Sequence, residues 1–284
     1  MFIPTGQNLE DVMLYRCFAE VKLGKYIDVG AGEYNQPSVT QSFYDLGWDG
    51  ILIDPIPSYK EVYRQYRPRD IFLSAAAGSS NANDGKLFEI QGGFSTLDYE
   101  ILNMHLDNGL NYTTHEVEIL SLDSIWESFH LKEVHFLKID VEGFELEVLR
   151  GLSLARHRPW IIVLEVAIPG TTTRTELNFE GYLANFQYTR AYHDGINDFY
   201  LASEHKYLEK NFSTPVNISD GPWFTSSTDL RNKILDRDIQ IGDLTNRLME
   251  LTELNAHREQ FIFRYLSALI VNKIRFYIHS SRRK

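Results

Sequence analysis

Short runs of β-branched and aliphatic residues punctuate the first two thirds of the chain: Tyr26-Ile27-Asp28-Val29, Gly50-Ile51-Leu52-Ile53-Asp54, Asp70-Ile71-Phe72-Leu73, His135-Phe136-Leu137-Lys138-Ile139-Asp140 and Trp160-Ile161-Ile162-Val163-Leu164-Glu165. Apolar runs with little polar alternation are typical of strands covered on both faces. Between them, Ser38 to Leu46, Pro57 to Tyr66 and Glu142 to Leu152 carry the spacing of crossover helices. Strands alternating with helices predict an α/β fold with a mostly parallel central sheet and helices on both faces. Thr189 to Tyr192 and Phe199 to Leu201 are read as added edge strands. From Lys206 to Thr228 the text turns to Asn, Ser, Pro and Gly, including Ser219-Asp220-Gly221-Pro222, and the compact domain is expected to end there.

The pattern then changes. Leu230, Ile234, Ile241, Leu244, Leu248 and Leu251 follow a three-to-four spacing that Arg237 interrupts, as in a short coiled coil or one amphipathic helix packed on the domain. Phe261 to Ile278 is densely apolar but contains Arg264, Lys273 and Arg275, a poor spanning segment. It fits a membrane-surface helix and a buried dimer helix equally. The expected organisation is a domain over 1–215, a linker over 216–229, a possible coiled coil over 230–257 and a basic amphipathic tail over 258–284.

Charge sharpens this division. The chain carries a net −11, yet residues 258–284 hold seven Lys/Arg and one Glu, a net of +6, which leaves −17 for the rest. Such a body disfavours nucleic acid, whereas the tail can meet an anionic surface. Ordinary globular composition, with 43% apolar and 24% charged residues, excludes collagenous and disordered classes. A single cysteine, Cys17, and no signal-peptide pattern after Met1 point to a reducing, cytoplasmic setting, with the tail in peripheral contact with the cytoplasmic face of a membrane or against a protein partner. The Asn-x-Ser/Thr triplets at Asn111, Asn211 and Asn217 are then accidental.

The strongest chemical signal is Tyr26-Ile27-Asp28-Val29-Gly30-Ala31-Gly32, a strand running into a glycine turn, with Asp54 closing the next strand 22 positions after Gly32. Glycines let the backbone approach a ligand, and an acid on the second strand can accept from ribose hydroxyls. Asn35 stands where a dinucleotide fingerprint requires a third glycine, and Asp28 would repel pyrophosphate. The same carboxylate suits the ammonium of S-adenosylmethionine, so this cofactor is preferred to a nicotinamide.

These residues, with Gln7-Asn8-Leu9-Glu10-Asp11-Val12-Met13-Leu14, Ser38-Val39-Thr40, Gly47-Trp48-Asp49-Gly50, Leu137-Lys138-Ile139-Asp140-Val141-Glu142-Gly143, Arg158-Pro159-Trp160 and Asp194-Gly195-Ile196-Asn197-Asp198-Phe199-Tyr200, resemble the FkbM family of methyltransferases over roughly residues 5–215. The resemblance implies a class I methyltransferase Rossmann-like fold, with S-adenosylmethionine methylating a sugar hydroxyl of a polysaccharide or glycoconjugate. It places Asp28, Gly30 and Gly32 at the methionine end of the cofactor and Asp54 at the ribose. Ala76, in the turn Ser74 to Gly78, would face the adenine, and Ser38 and Thr40 are candidates for the carboxylate. Gln7, Asn8, Glu10 and Asp11 form a candidate lid.

Asp140, Glu142 and Glu165 stand at strand ends where the transferred methyl should lie, and are the candidate catalytic acids. With His193 or Asp194 they could also gather Mg²⁺, although the spacing is no metal signature and no metal residue is assigned. Lys138 is expected to pair with these acids. His193, Asp194 and Asn197 are substrate-facing in the family pattern, against the plain reading of a hairpin turn. Gln91 to Leu97 is a candidate acceptor loop. The expected partners are a carbohydrate acceptor and further copies of the chain through its C-terminal helix. A non-catalytic scaffold of glycan synthesis is the alternative.

Overall fold

A computed structural model describes residues 2–90 and 94–220. The expected coiled coil and basic tail, most of the linker, and Gln91-Gly92-Gly93 of the candidate acceptor loop lie outside the described residues. Helix α1 (Glu10–Phe18) leads into strand β1 (Lys25–Val29), followed by α2 (Gln41–Asp45), β2 (Asp49–Ile53), α3 (Tyr59–Tyr66) and β3 (Ile71–Leu73). After an excursion come β7 (Phe136–Ile139), α6 (Glu145–Arg150), β8 (Ile161–Glu165), α7 (Phe179–Ala184), β9 (Tyr188–His193) and β10 (Asn197–Ala202). These strands form one seven-stranded sheet in the order β3-β2-β1-β7-β8-β10-β9. The first five are mutually parallel, and β10 runs antiparallel to both β8 and β9. The expected α/β, Rossmann-like architecture is therefore present.

Two apolar layers hold the sheet. On one face Ile27, Val29, Leu137 and Leu164 pack against Val148 and Leu149 of α6 and Phe179 and Leu183 of α7. On the other, Tyr26, Leu52, Phe136 and Phe199 pack against Met13, Leu14 and Phe18 of α1, Phe43 of α2 and Tyr63 of α3. Each such buried side chain contributes about 1.5–3 kcal/mol of transfer free energy. Alternation along β1 and β7 puts Asp28 and Lys138 on the second face, among Tyr26, Phe136 and α1.

The structure differs from the sequence expectation in three places. The crossover helices begin later than their apolar spacing suggests, because Ser38 to Thr40, Pro57 to Ser58 and Glu142 to Phe144 form turns that precede the first helical residues. Strand β10 is not an edge strand, since it lies between β8 and β9, leaving β9 at the edge. The excursion builds a second sheet of β4 (Ala76–Ala77), β5 (Ala82–Ile90) and β6 (Tyr112–Leu120), ordered β4-β6-β5, with α4 (Tyr99–Asp107) beside it and α5 (Leu122–Ser128) after it. Among the described residues no helix is long and apolar enough to cross a membrane.

Candidate functional site

The chain order reverses direction between β1 and β7, and in open sheets ligands bind outside the carboxyl ends at this point. The turn after β1 is shaped by two glycines with positive φ, +79° at Gly30 and +68° at Gly32. A Cβ on Gly30 would overlap the carbonyl oxygen of Asp140, so only glycine lets the turn lie against the end of β7. A Cβ on Gly32 would meet nothing within 4 Å, so the turn has open space beside it, the candidate cofactor cradle. Asp54 fastens this turn to β2: its Oδ2 accepts from Gly32 N at 2.9 Å and its Oδ1 from Ile56 N at 2.9 Å. Burial pushes the Asp54 carboxyl up to about 6.

Asp28 is 2% exposed. Its Oδ2 accepts the Thr40 hydroxyl at 2.9 Å, while its Oδ1 has no hydrogen-bond partner and lies 3.6 Å from Lys138 Nζ. Thr40 is itself held by Arg67 Nη2 at 3.0 Å, and Arg67 also donates to Tyr26 OH and Asp70. This buried guanidinium thereby holds the hydroxyl that occupies Asp28 Oδ2, while Oδ1 faces Lys138. Sequence reasoning missed it, because Arg67 ends a helix in polar text and only the tertiary fold buries it.

Lys138 joins this region to the acids. Its ammonium is 3.0 Å from Asp140 Oδ2, and carboxylate oxygens of Asp140, Glu142 and Glu165 all lie within 4.8 Å of one another. Lys138 holds the Asp140 carboxyl below its ordinary range against the opposing effect of burial, with further help from a hydrogen bond to Glu165. Glu165 is pushed up by burial and by the Asp140 charge, so this pair shares a proton that resides on Glu165. Glu142 is raised to about 8 by burial and then by Asp140. Its Oε2 is buried with no hydrogen-bond partner, and its backbone is left-handed at φ +53°. Glu145, a residue the sequence did not single out, accepts from Val141 N at 3.2 Å and Gly143 N at 3.0 Å.

A third group borders Glu165 at the end of β8. Asn197, opposite Glu165 in the β8–β10 register, donates through Nδ2 to Glu10 Oε1 and Asp194 Oδ2, both at 3.1 Å. Asn8 donates to the Asp194 carbonyl at 3.3 Å, and Glu10 Oε2 accepts from Asn8 N at 2.9 Å. Burial raises Glu10 to about 7. The segment before α1 is thereby tied to the β9–β10 hairpin.

The predicted residues thus fall into distinct places. Asp28, Gly30, Gly32 and Asp54 converge beside Asp140, Glu142 and Glu165, and Asp194 and Asn197 join Glu10. Thr40 lies fully buried behind Asp28, and Ala76 is 3% exposed among Leu87 and Val117 of the small sheet. Asp11, also fully buried, accepts from Thr5 N at 2.6 Å and Gly6 N at 3.1 Å, so its carboxylate shapes the N-terminal turn. Gln7 is exposed and Ser38 half-buried. His193 pairs with Asp198, Nδ1 to Oδ1 at 3.0 Å, on the opposite sheet face from Asn197, so these two candidate residues are not brought together.

The residues present fit S-adenosylmethionine in one respect: Asp28 Oδ1 makes no hydrogen bond and has only the Lys138 ammonium at 3.6 Å, so its negative charge can take a second ammonium more readily than a phosphate. A family model described as the methyltransferase FkbM domain matches residues 28–206. A search of curated proteins gives no match.

Proposed function

From the premise that the chain belongs to the FkbM methyltransferase family, we propose that it transfers a methyl group from S-adenosylmethionine to a carbohydrate hydroxyl. The observation that carries this reading is the meeting of Asp140, Glu142 and Glu165 beside the Asp28 and Gly32 cradle. Asp28 would hold the ammonium, Asp54 the ribose hydroxyls, and half-exposed Ser38 the carboxylate. Bound there, the cofactor supplies an electrophilic methyl group. The chain must then orient the acceptor hydroxyl and take its proton as the new bond forms. Glu142 suits that task because burial has made it a stronger base, while Lys138 keeps Asp140 ionised and the shared proton keeps Glu165 neutral. Asp194 and Asn197 would border the acceptor.

The C-terminal heptads and basic tail extend the proposal to self-association and to work on lipid-linked or polymerising glycans at an anionic membrane surface.

The test is calorimetric titration with S-adenosylhomocysteine and, separately, NADH, repeated with Asp28→Asn. Binding of S-adenosylhomocysteine alone, weakened at least tenfold in the variant, supports the reading. NADH binding points to a reductase, and binding of neither favours the scaffold. Methyl transfer to glycan acceptors is then assayed with EDTA and with Mg²⁺. Transfer unaffected by EDTA supports Lys138 as the balancing cation; loss restored by Mg²⁺ assigns that role to a metal among the same carboxylates.

A further inference from the structure

Thr96, in the segment between β5 and α4, bridges to β5 and reaches the backbone of Glu142. Thr96 is 1% exposed and is anchored to β5 by paired backbone bonds, Phe88 N to Thr96 O at 2.8 Å and Thr96 N to Phe88 O at 3.1 Å. Its hydroxyl donates to the Glu142 carbonyl at 2.8 Å and accepts from Asp98 N at 3.0 Å, so both capacities of the hydroxyl are used.

The peptide joining Glu142 to Gly143 is therefore gripped from two sides: its carbonyl by Thr96, its N–H by Glu145 Oε1. Both residues have positive φ, +53° and +100°, a succession that an L-residue such as Glu142 adopts only under constraint. Ile101, in the first turn of α4, closes the remaining space, since a Cβ on Gly143 would stand 2.6 Å from its Cγ1. Asp98 caps this helix by accepting from Glu100 N at 2.6 Å and Ile101 N at 3.2 Å, so the segment carrying Thr96 and Ile101 is itself braced.

The consequence lies in the orphaned Glu142 Oε2. No hydrogen bond aims this oxygen, so where it can reach depends on side-chain packing and on the backbone turn that sets the direction in which the Glu142 side chain leaves the chain. We propose that Thr96 is a positioning residue for Glu142: through the Glu142 carbonyl it sets the left-handed turn that points this carboxylate at the acceptor. The catalytic part of the proposal rests on Glu142 taking the acceptor's proton; the structural part does not.

The test compares Thr96→Val, which keeps the shape and removes the hydroxyl, with Thr96→Ser, which keeps the hydroxyl. Three readouts are taken on the full chain: amide exchange at Gly143, the dissociation constant for S-adenosylhomocysteine, and kcat against KM for methyl transfer. The valine variant should exchange the Gly143 amide at least tenfold faster and lower kcat about 30-fold with cofactor affinity and KM unchanged; a displacement of about an ångström at a reacting group has costs of this order. Serine should restore both exchange and kcat. Should valine misfold, Thr96→Ala against Thr96→Ser makes the same comparison. Unchanged exchange and kcat, a serine variant as impaired as valine, or cofactor affinity falling in step with kcat overturns the proposal. Should the wild-type chain bind no S-adenosylhomocysteine and transfer no methyl, the functional reading fails, while the exchange at Gly143 still decides whether Thr96 sets the turn.

Discussion

Lys138 lies between two negative clusters, 3.0 Å from Asp140 and 3.6 Å from Asp28, with Glu10 close enough to feel its charge. That placement explains why neighbouring acids of similar intrinsic strength behave differently: the one paired with the ammonium stays ionised, and those crowded beside it keep protons. For Glu142, raised to about 8, the base form grows as pH rises. We therefore expect kcat to climb through about pH 8 and then level, measured between pH 6 and 9.5 at saturating substrates. In Glu142→Gln the climb should vanish and kcat fall by about 100-fold or more. Asp28, Asp140, Glu142 and Glu165 were legible in the sequence because each is an acid at or just beyond a recognisable strand. Arg67 and Glu145 were not, and Thr96 was marked only as part of the candidate acceptor loop Gln91 to Leu97, since each acts on backbone or on a residue distant in sequence, and no spacing rule encodes such a contact.

Between residue and fold stand the turns that the elements deliver. Gly30 and Gly32 have similar backbone angles but opposite surroundings, so their alanine variants should separate. Gly30→Ala must displace the end of β7 and should cost about 2–4 kcal/mol in urea unfolding. Gly32→Ala, facing open space, should cost only about 1 kcal/mol while weakening cofactor binding by intruding on the cradle. Equal losses of stability would contradict this assignment. The strands around these turns were read correctly from their apolar runs, whereas the small sheet was not: β6 buries only Val117 and the first half of β5 is polar and largely exposed, so neither strand offers continuous apolar text. The start of α6 was placed too early because apolar periodicity does not register the left-handed φ of Glu142 and Gly143. The hairpin reading of residues 193–197 was sound, and strand alternation then separated His193 from Asn197.

At the scale of the whole molecule the buried acids govern stability. Glu10 and Glu145 near 7, Glu142 near 8 and Asp54 near 6 all bind protons more tightly folded than unfolded. Their contribution is complete below the ordinary carboxyl range and is lost as pH rises through about 6 to 8. Glu204, held near 2 chiefly by its hydrogen bonds with Arg158, has the opposite sign and contributes above the ordinary range, losing its effect as pH falls toward 2. Thermal unfolding should therefore be highest near pH 5 and fall by about 5 °C or more by pH 8.5. A flat profile across that interval would mean that these acids are solvated. The antiparallel course of β10 has a separate implication, for synthesis. Because that strand starts at the carboxyl edge, the bond between Asn197 and Glu10 spans 187 residues. A nascent chain emerging from the ribosome can pair β1, β2 and β7 before residue 197 is made, so a stall before Asn197 leaves Glu10 without this partner.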